Sequence, residues 1–137
     1  MVDDEEMKNR ILAELEEAHW EDAAAMFNSV ITPSGHDDEK SALHRSLSSL
    51  VHARLIDMTI PGNEQGRLRP LSLAAALAMI DDLGKQLQFD KKDASWVCMC
   101  AANARPTILL SASGLIEARR LLAANGYQWW KNETNRK

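Results

Sequence analysis

Wound as a helix at about 100° per residue, the stretch 38–54 puts His44, Arg45, Ser48, Ser49 and His52 on one side and Leu43, Leu47, Leu50 and Val51 on the other. The leucine side needs a core. The opposite side offers small hydroxyls, two imidazoles and one guanidinium, with no large apolar or acidic residue among them. Such a strip suits the major groove of a duplex, where arginine reads guanine with two parallel hydrogen bonds and serine adapts to either base edge. A plain solvated helix face carries the same residues equally well. Arg54 closes the stretch, and Arg67 and Arg69 follow two residues apart. On a strand that spacing sends both arginines to one side, where they suit phosphates or a solvated sheet edge.

The remaining reactive side chains point to no catalysis. Cys98 and Cys100 share one side of a candidate strand. A zinc site needs two more ligands, and His19, His36, His44 and His52 include no pair four residues apart. Two buried thiols acting as small apolar groups are the expectation. His36-Asp37-Asp38 reads as a helix start, because acids favour the positive end of the helix dipole. There is no phosphate-cradling glycine loop, nucleophile elbow or His-Glu-x-x-His pair. The chain is therefore expected to be no enzyme and to hold neither metal nor cofactor.

Positioning these residues requires a helical frame. Met7, Ile11, Leu12 and Leu15 give residues 4–18 a helical apolar face. Residues 20–31 read as a second helix, with Ala24, Met26, Phe27 and Val30 inward, and Thr32-Pro33-Ser34-Gly35 breaks it. The third helix begins near Asp37. Short strands are expected at 57–60 and 67–71, with Gly62, Asn63 and Gly66 turning between them. Ser72 is a candidate N-cap for a fourth helix over 73–88, with Leu73, Leu77, Ile80 and Leu83 on one face. Two more strands, 96–100 and 107–110, precede Ser111, which caps a helix over 112–124 ending at Asn125-Gly126.

The 137 residues hold seven aromatics, too few for a large β-sandwich, and no apolar run long enough to cross a membrane. The acidic N-terminus is unlike a signal peptide, so the cytoplasm is the expected compartment. Net charge is −4, unevenly spread: residues 1–40 carry −9 and residues 41–137 carry +5. A basic face can thus coexist with an acidic far side. Tyr127, Trp129 and Trp130 crowd the tail, either closing the core or anchoring a partner subunit; a dimer contact is the preferred expectation.

Arg10-Ile-Leu-Ala-Glu-Leu15, Leu47-Ser-Ser-Leu-Val-His-Ala-Arg-Leu-Ile56 and Arg67-Leu-Arg-Pro-Leu-Ser-Leu-Ala-Ala75 together resemble the winged helix-turn-helix transcription regulators of the multiple-antibiotic-resistance and phenolic-acid classes. The three segments look like that family's opening helix, its recognition helix running into a Leu-Ile exit, and its returning wing strand. Leu110-Ser-Ala-Ser-Gly114 fits the family's strand-to-helix junction as well, so either 57–71 or 96–110 serves as the wing. The resemblance implies a mainly α (α+β) fold: a winged-helix domain over 1–89, a hairpin–helix extension over 90–126 and a tail over 127–137. It also implies a homodimeric regulator of transcription bound to double-stranded DNA. His44, Arg45, Ser48, Ser49 and His52 would lie in the groove, with Arg54, Arg67 and Arg69 on phosphates. A winged-helix module for protein–protein contact is the alternative.

Overall fold

The computed structural model describes residues 2–60, 70–100 and 105–131. Helix α1, Asp4–Ala18, is capped by Asp3, whose carboxylate accepts from the Glu6 amide at 2.7 Å. It ends at His19, where φ turns to 67° and redirects the chain. The next three residues, Trp20–Asp22, form strand β1 and not the first turn of a long helix. The expected helix over 20–31 fails there because β1 finds a distant partner, Trp20 lying opposite Leu109 and Asp22 opposite Thr107. Asp22 then caps helix α2, Ala23–Val30, accepting from the Ala25 amide at 3.1 Å.

Helix α3, Asp37–His52, starts at the predicted acidic turn. Its start is fixed by Glu39, a buried carboxylate in the first turn that reaches back toward the preceding loop. Glu39 accepts from the Ser34 amide (3.1 Å), the Ser34 hydroxyl (2.7 Å), the Gly35 amide (3.2 Å) and Trp96 Nε1 (3.0 Å). Burial alone would push this carboxyl up; those donors outweigh it and hold Glu39 below its ordinary range. Gly35 (φ 89°) is required beside it, because a Cβ there would meet the Phe89 ring at 2.7 Å.

Strand β2, Ile56–Thr59, leaves α3, and helix α4, Leu73–Gln86, is capped by Ser72 as predicted. Ile80 and Leu83 of α4 are buried, but Leu73 is about half exposed. Strands β3, Leu87–Asp90, and β4, Ser95–Cys98, form an antiparallel hairpin. Strand β5, Thr107–Leu110, leads into helix α5, Ala112–Asn125, capped by Ser111. In the larger sheet β5 lies between β1 and β2, antiparallel to both.

The strand pairings correct one expectation. Residues 96–100 and 107–110 do not form a hairpin; their strands belong to different sheets. Trp96 draws β4 away, packing on Phe27 and Phe89, while the Asn28 side chain exchanges two 2.8 Å hydrogen bonds with the Trp96 backbone. β2 pairs with β5 along one edge, and the Leu71 amide donates to the Met58 carbonyl at 2.8 Å; residues 67–69 of the expected strand 67–71 lie outside the described residues. The β3–β4 hairpin crosses the boundary drawn at 89/90, and a single buried cluster runs from Met7 to Trp130.

Candidate nucleic-acid interface

α3 is held on its apolar side by Leu43, Leu47, Leu50 and Val51, all buried as their spacing predicts. Its exposed side carries Arg45, Ser49 and His52, with Ser48 half-buried at the margin. Arg54 lies just beyond the helix in a left-handed conformation (φ 59°) and is exposed. Two contacts fix this end. The Ser111 hydroxyl donates to the Arg54 carbonyl at 2.6 Å, and the Ser111 amide donates to the Leu55 carbonyl at 3.1 Å. A cavity of about 310 Å³ opens beside it, lined by His52, Arg54, Asp57, Leu71 and Leu73 among others. Arg67 and Arg69 lie outside the described residues.

Acids from neighbouring elements flank the strip. Arg45 makes a two-pronged pair with Asp4 of α1, Nε to Oδ2 at 2.8 Å and Nη2 to Oδ1 at 3.1 Å. The hydrogen bond from Arg45 holds the Asp4 carboxyl below its usual range and pushes the guanidinium up. His44 leans the other way, Nε2 lying 2.6 Å from Asp81 Oδ1 on α4. The strip itself is thus free of acids, as the sequence implies, but Arg45 and His44 each have a carboxylate partner 41 or 37 residues away. The acidic start of α1 had a sufficient local reason in the helix dipole, so its second role left no local signal.

The aromatic tail turns inward. Trp130 is 5% exposed and its Nε1 donates to the Ser29 carbonyl at 3.0 Å. Trp129 is half-buried, donates to Glu6 Oε2 at 2.9 Å, and meets Trp130 edge to face at 4.9 Å. Trp130 thus closes the core, one of the two readings of this cluster, and α1 and α2 supply acceptors for both indoles. Tyr127 remains exposed; a hydrogen bond to Glu17 pushes its hydroxyl up to about 12.

No protein-family model matches the chain, and neither the curated proteins nor the solved structures contain a match. Among the described residues, no group of three or more His, Cys, Asp or Glu side chains is placed to hold a metal ion. No described helix is long and apolar enough to cross a membrane. Cys98 and Cys100 are not the two free thiols expected: they form a disulfide. β4 ends at Cys98 and the chain bends at Cys100, bringing the Cα atoms to 5.4 Å, inside disulfide range.

Proposed function

We propose that this chain is a winged helix-turn-helix protein that lays α3 in the major groove of duplex DNA and regulates transcription as a homodimer. The observation that carries the reading is the placement of β5. It pairs with the strand leaving α3 and continues through Leu110-Ser-Ala-Ser-Gly114 into α5. We take this strand and junction as the counterpart of the returning strand and junction in the resemblance. Between β2 and β5 the chain also carries α4 and the β3–β4 hairpin, and Arg67 and Arg69 fall in sequence between β2 and α4, where they would supply the backbone contacts of a wing. Ser49, His52 and Arg45 would face base edges, and Arg54 a phosphate. His44, turned toward α4, belongs to the margin of that contact.

The pairing of Arg45 with Asp4 and of His44 with Asp81 favours a second reading, a winged-helix module that docks on a protein. Exposed ion pairs are weak, so a phosphate or guanine competes for Arg45 on comparable terms. Gel shift against fragmented genomic DNA at two salt concentrations separates the two readings. Salt-sensitive retention of particular fragments supports the regulator; no retention at low salt leaves the protein-docking module.

A further inference from the structure

The cysteine pair sits where a structural crosslink would do little and a reactive one is well served. One residue separates Cys98 from Cys100, so the bond closes a very short loop. Crosslinks of that kind remove little freedom from the unfolded chain, and their stabilising effect is correspondingly small. The two sulfurs are unequally protected: Cys98 is 5% exposed, whereas Cys100 is half-buried at the end of β4. The intervening Met99 amide donates to the Gln86 carbonyl at the end of α4, at 2.8 Å. That bond fixes the pair against α4, and both cysteines line a cavity of about 510 Å³.

The cavity is strongly apolar. Ile60, Leu71, Met79, Leu83 and Pro106 form much of its wall, and Asp82 is the one charged residue among its described lining. An apolar thiol can reach the disulfide without losing favourable hydration to a charged wall. Among the described lining residues an anionic thiol meets a carboxylate and no cation.

We infer that Cys98–Cys100 is a reversible dithiol–disulfide couple whose exchange partner is a neutral, apolar thiol bound in this groove. The thiolate of the partner attacks the more accessible Cys100 sulfur. The Cys98–Cys100 bond breaks, Cys98 leaves as a thiolate and takes up a proton, and a mixed disulfide joins Cys100 to the partner. A second partner thiolate then attacks the partner sulfur of that mixed disulfide and releases Cys100. In sum the protein disulfide gains two electrons and two protons and becomes two thiols, while two partner thiols become one disulfide. The reverse direction forms the protein disulfide from an apolar disulfide. The inference is independent of whether DNA is the partner of α3.

The test uses the folded wild-type chain. Air-oxidised protein is treated with an alkylating agent without denaturant and weighed, then treated with benzyl mercaptan or with 2-mercaptoethanesulfonate at matched thiolate concentration and weighed again after alkylation. No label is expected before reduction and two labels after it. Benzyl mercaptan should act at least about threefold faster than the sulfonate, with Asp82→Asn narrowing that gap. In single variants, Cys100 of Cys98→Ser should be labelled faster than Cys98 of Cys100→Ser. Two free thiols in the air-oxidised protein, reduction only after denaturation, or no preference for the apolar thiol would each overturn the inference.

Discussion

Arg45 is one guanidinium with two competing claims on it. Asp4 holds it in a flat, two-pronged pair, yet both side chains are exposed to about half their area, so the pair is readily exchanged. Asp4→Asn removes the competing charge, and duplex DNA should bind the variant about two- to fivefold more tightly, as read by fluorescence anisotropy. An unchanged or weaker affinity would mean that Arg45 takes no part in DNA contact. Glu39 presents the opposite situation, a carboxylate that nothing displaces. It gathers four donors, and Trp96 Nε1 is buried behind it. Glu39→Ala leaves those donors without an acceptor and should cost about 2–3 kcal/mol in urea unfolding. A loss below about 0.5 kcal/mol would show that water replaces the carboxylate. The Arg45–Asp4 and Glu39–Trp96 contacts were illegible in the sequence because their partners are far away in the chain; the preference of acids for helix starts was written locally.

At the scale of elements, the junction between β5 and α5 does the positioning. Gly114 packs so closely on the α3–β2 exit that a Cβ would come within 1.8 Å of the Leu55 carbonyl oxygen. That oxygen already accepts from Ser111, so it has little room to retreat. Gly114→Ala should therefore destabilise the fold by about 3 kcal/mol in thermal or urea unfolding and loosen the end of α3. A neutral substitution would show that the junction does not lock α3. The helices were largely legible. Leucine spacing in α3, acids at its start and serine caps on α4 and α5 are local signals, and each element begins where they place it. The strands were legible in part: β2, β4 and β5 lie close to the expected 57–60, 96–100 and 107–110, whereas β1, β3 and the pairing did not show. Trp20–Asp22 is followed by an alanine-rich run that favours helix, and only β5, some 85 residues later, makes it a strand. β4 likewise follows Trp96 into its aromatic contacts and pairs with β3 rather than β5.

For the whole molecule, the division of charge seen in the sequence has a structural counterpart in α1 and β1. Burial pushes the Glu21 carboxyl up to about 8, and the hydrogen bond and charge of Glu14 add to it. The folded chain thus holds a proton that the unfolded chain releases, starting from an ordinary value of 4.5. Stability from this site is fully present below that value and is lost as pH rises through the folded pKa. The urea midpoint should be higher at pH 5.5 than at pH 8.5, and Glu21→Gln should narrow the difference; identical pH profiles for the two proteins would contradict the assignment. On the proposed reading, DNA contact would fall to the exposed strip of α3 and to the basic residues beyond it, so the affinity expected is moderate and strongly dependent on salt.

The most direct test is the salt dependence of duplex binding by wild-type and Arg45→Ala proteins, measured on a fragment recovered from genomic DNA. The wild type should bind with a steep negative slope of log affinity on log salt. Arg45→Ala should bind more weakly, with a slope shallower by about one if the guanidinium meets a phosphate, or with relaxed base preference if it meets guanine. No salt-sensitive binding by the wild type, or an Arg45→Ala protein identical in affinity, slope and sequence preference, would contradict a DNA-reading α3.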